Sequence, residues 1–313
     1  MQKIELFAPG TLGTCWYGKY HYFEPWVGCE HDCDYCYARF RGIVTDTLNA
    51  HNTSFAHPAP LLEPAALKQA VRERLNAGDI SILKLCRYTD FFSPTLVDNG
   101  LAADLLQILV ESPVKRVIIT TKGRPDPRSI DIMKTFSAKI SYNLVAKPRS
   151  PIVLEKHLIP LEDRLDVATD LAQAGIQTTI HLDPLVPGID DTPDLMIPFL
   201  DDLARRGLKR VMFSFLLLNP PMLQDLKTRL NASDYERLLG TYQIDRTRQF
   251  LPSEHETVYF EAHTDLRRTS AETLARSLKE RGFSFVLCSL KNIDKTFDVD
   301  RDLCPACDGM FYA

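Results

Sequence analysis

Between residues 64 and 217 the chain repeats one rhythm of helix and strand, and that rhythm limits the folds open to it. Pro64 to Asn76 reads as a helix, with proline in its first turn and Gly78 just past its end. Ile80 to Leu85 reads as a strand, Leu101 to Val110 as a helix, and Val114 to Thr120 as a strand rich in β-branched residues. Ser129 to Phe136 and Ala138 to Val145 repeat the pair. Leu161, Leu165, Ala168, Leu171 and Ala172 share one helical face closed by Gly175, ahead of a strand over Ile176 to Leu182. A helix over Asp194 to Arg206 and a strand over Val211 to Leu217 follow. The aromatic run from Tyr22 to Val27 supplies a first strand, making six. Apolar strands alternating with helices predict an α/β fold with a parallel sheet and its helices outside. Right-handed crossovers let such a series curl into a full or partial barrel.

The flanks read differently. Residues 1–20 are an aromatic, Gly-rich lead-in that carries Cys15. Residues 38–60 are polar, hold His51 and His57, and are long enough to read as a lid or insertion. Past residue 220, Ser233 with Glu236 forms a capping box. Thr257 to Glu261 is strand-like, Thr269 with Glu272 opens a helix closed by Gly282, and Phe283 to Leu287 is strand-like again. The expected organisation is a lead-in over 1–20, a barrel over 21–220 and a C-terminal extension over 221–313.

The cysteines carry the chemistry. Cys29, Cys33 and Cys36 stand with three and then two residues between them, and Tyr35 directly precedes the third. Three thiolates on so short a loop wrap one soft metal centre. A structural zinc site wants a fourth nitrogen or sulfur, and only His31 lies inside the loop. An iron–sulfur cube takes four cysteines as a rule, so three leave one iron open to a ligand. Met1 to Gly10 lacks a signal peptide's basic start and long apolar core, so the eight cysteines are expected to serve metal or redox chemistry in a reducing cytosol rather than disulfides. Val211 to Leu218, the longest apolar run, is far too short to span a membrane. A net charge of −4 advertises no extended nucleic-acid-binding face.

The CxxxCxxC spacing with its aromatic resembles the signature of the radical S-adenosylmethionine (radical SAM) enzymes. The resemblance implies a partial (β/α)6 barrel and a 4Fe–4S cluster on Cys29, Cys33 and Cys36. SAM would bind the open iron and be cleaved to a 5′-deoxyadenosyl radical, with electrons from a donor such as flavodoxin or ferredoxin. Further motifs resemble the spore photoproduct lyase-like branch. Thr89-Asp90 matches its SAM-holding pair, Lys122 its carboxylate-binding lysine, and Ser141 in Ser141-Tyr142-Asn143 its SAM-touching serine. Tyr35 would lean on the adenine. Asp90 also stands on its own chemistry, as a carboxylate for ribose hydroxyls or an ammonium; capping of the next loop is its plainer role. Pro184, Pro187, Gly188 and Asp191 fit the branch's P-x-x-P-G-x-x-D run, and Arg164-Leu165 and Ala174-Gly175-Ile176 fit the helix before it. His181 and Asp183 share a strand face that points either into the barrel mouth or into a hydrogen-bonded interior.

One departure stands out. The lyase that names the branch has a hydrogen-donating cysteine three residues before the Asp. Here that position is Arg87, and Cys86 is one residue earlier. On a strand that shift turns the side chain to the other face unless the strand bulges, which argues against DNA photoproduct repair. At the C-terminus, Cys288 with Cys304 and Cys307 reads as a second metal site, either an auxiliary 4Fe–4S cluster or a zinc knuckle, or else as free thiols. Cys15, His255, His263 or a substrate would complete it. The leading expectation is a radical SAM enzyme acting on a small-molecule, nucleotide or peptide substrate. The alternatives are a repair-like lyase and a non-catalytic protein that binds zinc or nucleic acid.

Overall fold

Strand β1 (Phe7–Pro9) and strand β2 (His21–Phe23) open the chain, followed by β3 (Trp26–Val27) and β4 (Ala59–Pro60). The repeating strands are β5 (Ile82–Leu85), β6 (Arg116–Thr121), β7 (Ile140–Val145), β8 (Gln177–Leu185) and β9 (Arg210–Phe215). β10 (Tyr242–Gln249), β11 (Val258–Ala262) and β12 (Ser284–Leu287) end the series. Between them lie helices α1 (Gly42–Ala50), α2 (Pro64–Asn76), α3 (Pro94–Asp98), α4 (Leu101–Glu111), α5 (Pro127–Thr135) and α6 (Leu161–Gln173). α7 (Pro193–Arg205), α8 (Pro220–Arg229), α9 (Ala232–Leu239) and α10 (Thr264–Glu280) complete the set. The computed structural model describes residues 3–10, 20–249 and 258–287. Cys15, His255, Cys288, Cys304 and Cys307 lie outside the described residues.

Eight strands form one sheet in the order β1-β2-β5-β6-β7-β8-β9-β12. Only β1 runs antiparallel to its neighbour; every pair from β2 to β12 is parallel. Each strand lies beside its predecessor and the order never reverses. Right-handed crossovers therefore put the helices on one side of the sheet, as in a partial (β/α) barrel. Alternation along the strands then sorts the side chains. Leu83, Leu85, Val117, Ile119, Ile140, Tyr142, Ile180, Leu182, Val211 and Phe213 join the main core with Leu67, Leu106, Leu165, Leu200 and Leu274 from the helices. The opposite face carries Ser141, Asn143, Gln177, Thr179, His181, Asp183 and Ser214. His181 and Asp183 thus share a face, opposite Leu182 of the core.

Several expectations need correction. Residues 38–60, read as a polar lid or insertion, carry regular structure. They form a short 3₁₀ turn, Tyr37–Phe40, and helix α1, because Val44, Thr47 and Leu48 line up at helical spacing and are buried. The first strand is split at Glu24-Pro25 into β2 and β3. Helix α9 is capped by Asn231, whose Oδ1 accepts from Asp234 N at 2.9 Å, not by Ser233. Helix α10 starts at Thr264 and runs straight through Thr269. β10 forms a hairpin with β11, and β12 adds a seventh parallel strand beside β9.

Candidate functional site

The cysteine loop begins at Gly28, whose φ of +88° lies in the region that favours glycine. A Cβ there would stand 2.8 Å from the Phe55 carbonyl oxygen. The next amide, Cys29 N, donates to that same oxygen at 2.6 Å. Asp32 takes a left-handed turn (φ 43°), and Cys36 N closes back on Cys33 O at 3.0 Å. Cys29 belongs to an apolar cluster with Val27, Val44, Leu48, Phe55 and Tyr88. Cys33 and Tyr35 belong to another, with Ile152, Leu154, Val186 and Leu216. The loop thus spans the seam between two satellite cores.

Almost every residue between the cysteines is tied to a different element. Glu30 accepts from Ser93 Oγ and Thr95 N, both at 2.8 Å, at the start of α3. His31 is buried with Nε2 3.2 Å from Asp90 Oδ2. Asp32 pairs with Arg39. Asp34 takes Arg229 at 2.9 Å and Lys156 at 3.1 Å, while its amide donates to Leu154 O at 3.0 Å. Tyr35 donates its hydroxyl to Glu155 and accepts from Lys122 Nζ.

Burial raises all three thiol pKa values, that of Cys33 to about 11. These are neutral thiols until a cation displaces their protons. Among the described residues, no three His, Cys, Asp or Glu side chains meet closely enough to hold one metal ion. A cube spreads its thiolates over separate irons, and a loop with two buried thiols and a half-buried third, Cys36, fits that donor set. Lys122 Nζ stands 3.4 Å from Cys33 Sγ. Burial works against its charge, but the Glu155 carboxylate beside it outweighs burial and keeps it an ammonium.

The other predicted residues fall into place around this loop, not always as expected. Thr89 donates its hydroxyl to Gly28 O. Asp90 accepts at Oδ1 from Phe92 N at 2.9 Å and Thr121 Oγ1 at 2.6 Å, and at Oδ2 from Lys122 N at 2.6 Å. Burial acts to raise its pKa, but the bonds from His31, Thr121 and Lys122 prevail and hold it below the usual carboxylate range. Asp90 therefore braces the loop through His31 as well as capping its own turn. Ser141 is fully buried with Oγ unpartnered, as are Asn143 Oδ1 and Thr179 Oγ1 beside it on the same sheet face. Asp183 accepts from Ser214 Oγ at 2.5 Å. Cys86 leaves strand geometry at φ +60° and packs into the main core, so strand alternation does not reach it. Arg87 lies over the rings of Tyr22 and Tyr88, 5.6 and 4.9 Å from their centroids.

Two charged groups escaped the sequence reading. Glu155 sits in the irregular stretch between β7 and α6, where no periodicity or motif marks it. Lys147 lies in the same stretch and binds Asp190 at 2.8 Å and Pro184 O at 3.0 Å. The proline-glycine run of residues 184–191 pointed to that turn but not to its lysine.

No family model matches the sequence, and no curated protein matches it. Solved structures do. A cysteine-to-serine mutant of spore photoproduct lyase superposes with a TM-score of 0.65 at 12% identity, covering 91% of this chain and 79% of that one. The chain has the fold of spore photoproduct lyase. A second mutant of that lyase, solved with AdoMet and a dinucleoside spore photoproduct, gives a TM-score of 0.62 at 12% identity over 90% of this chain and 78% of that one. SuiB of Streptococcus suis, solved with S-adenosylmethionine, gives 0.51 at 12% identity over 92% and 55%. Among the described residues no helix is long and apolar enough to cross a membrane.

Proposed function

We infer that this chain is a radical SAM enzyme. The observation that carries the reading is the thiol nest: three cysteines on one braced loop, Cys29 and Cys33 buried and Cys36 half-buried, with the Lys122 ammonium 3.4 Å from Cys33 Sγ. Cys29, Cys33 and Cys36 are the residues to hold a 4Fe–4S cluster. Such a cluster, with SAM bound, supplies a 5′-deoxyadenosyl radical that removes a hydrogen atom from a substrate; the protein's task is to bind, orient and shield.

The chain's residues suit that task. The loop is fixed before any metal arrives, because its side chains are tied to four other parts of the fold. Lys122 offers a compact cation to the carboxylate end of SAM. The Tyr35 ring carries Lys122 Nζ 4.5 Å and Lys147 Nζ 5.6 Å from its centroid, so its plane is fixed by cation–π contacts. Thr89 and Asp90 hold Gly28 and His31, and so set the loop's distance from the sheet. Ser141, Asn143 and Thr179 present unpartnered polar atoms, which suits contacts to a polar ligand. Cys288, Cys304 and Cys307 are proposed to hold a second metal site.

The test is anaerobic reconstitution, with iron, sulfide and zinc counted per chain and 5′-deoxyadenosine measured after dithionite reduction. About eight irons with turnover means two clusters, and about four with one zinc makes the C-terminal cysteines structural. Cys33→Ala should abolish SAM cleavage; cleavage retained in that variant, or zinc alone without turnover in the parent, sinks the assignment.

A further inference from the structure

Arg87 stands where strand β5 gives way to the turn that carries Thr89 and Asp90. Its backbone is fastened on both sides. The amide donates to the buried Glu24 carboxyl, and the carbonyl accepts from the hydroxyl of Tyr37, the residue after Cys36. The guanidinium is fastened as well, over the rings of Tyr22 and Tyr88 at 5.6 and 4.9 Å from their centroids. Tyr22 shows which side of the sheet this is. Tyr22, Lys84, Ile118 and Ser141 are successive register partners across β2, β5, β6 and β7. They form one row on the inner face, opposite Phe23 and Leu85 of the core. A half-buried cation is thus held over the inner face, at the end of the sheet where the cysteine loop lies.

The rings fix more than position. Stacking uses the faces of a guanidinium, whereas its N–H groups lie in its plane. An oxyanion met edge-on accepts two parallel bonds from that fork, the geometry by which arginine recognises carboxylate and phosphate. The carboxyl at its own amide does little to cancel the charge. Burial lifts the Glu24 pKa to about 8, so most of it is protonated at neutral pH. We propose that Arg87 binds an oxyanion of the substrate, a carboxylate or a phosphate, at the barrel mouth beside the cysteine loop. That the anion belongs to a substrate rests on the radical SAM reading above; the anion site itself does not. The rival role is structural, with the guanidinium as a spacer between Tyr22 and Tyr88 that needs no ligand.

The experiment is calorimetric titration of anaerobically reconstituted protein with inorganic phosphate and with acetate, at constant ionic strength. The parent, Arg87→Lys and Arg87→Met are compared. The parent should bind at least one of the two anions, and which one binds names the group. Arg87→Met should weaken that binding about tenfold or more; Arg87→Lys, which keeps the charge but loses the fork, should weaken it less. A parent that binds neither anion, or an Arg87→Met protein that binds as the parent does, overturns the proposal. Melting curves and iron content report whether the variants fold. If they do not, phenylglyoxal labelling of the parent decides, read by mass spectrometry with and without the anion. Arg87 should be labelled, and the anion should slow its labelling. An Arg87 that the reagent never reaches, or labels equally in both, overturns the proposal. SAM cleavage is measured on the same samples. Cleavage without anion binding sinks only the role of Arg87, whereas anion binding without cleavage keeps the site and sinks the radical SAM reading.

Discussion

At Gly28 the loop has no room for a side chain. An Ala there faces a left-handed backbone costing roughly 1–2 kcal/mol and a Cβ 2.8 Å from Phe55 O. Gly28→Ala is expected to lower the melting temperature and to reduce the iron loaded per chain, since the strain falls next to Cys29. Glu24 sets a different limit. It is 2% exposed, and burial pushes its pKa up to about 8 against the opposing bonds from Arg87 N and Tyr88 N. The folded chain keeps a proton that the unfolded chain loses near 4.5. Its contribution to stability is thus full below about pH 4.5 and is lost as pH rises through about 8. The melting temperature of the parent should fall between pH 6 and 9, and that of Glu24→Gln should fall less; equal slopes would refute the assignment. Of the candidate site residues, the three cysteines stood out by their spacing, and Thr89-Asp90 and Lys122 only through the resemblance; the fold brings all of them to one loop. Glu155 and Lys147 did not stand out, because a lone charge in an irregular stretch has no pattern, and only the fold brings it to Tyr35.

The elements were read with uneven success, for a physical reason. Strands β6 to β9 are buried on both faces or nearly so, and their apolar runs mark them within a few residues. Helix α1 buries only a narrow stripe that includes a threonine, so its periodicity is faint against a polar background. β10 and β11 depend on pairing with each other across a gap, which local preference does not report. The helix ends are better behaved. Asp126 accepts from Ser129 N at 3.0 Å and Ser129 Oγ at 2.7 Å, with Pro127 in the first turn of α5. Asp126→Ala should cost about 0.5–2 kcal/mol in chemical unfolding and leave iron content unchanged, because α5 touches the site only through the sheet. A loss of iron in that variant would mean the nest is coupled to the outer helices.

For the whole molecule, sequential strand order is the governing fact. The helix–strand rhythm implied parallel strands and a partial barrel, and the structure adds β12 to the series. What composition and rhythm left unsaid is how far apart in sequence the braces of the loop lie. Glu30 bonds residues 93 and 95, Tyr35 meets residues 122 and 155, and Asp34 bonds Arg229, 195 positions downstream. During synthesis the cysteines emerge first and their last brace emerges much later. At roughly 5–20 residues per second that interval is on the order of 10–40 s. Throughout it the ribosome presents three thiols on a loop that is not yet a nest, exposed to oxidants and stray cations. For the cluster proposed above, the order in which the chain is made places loading after translation has passed α8, and leaves the newborn loop a period without its last brace.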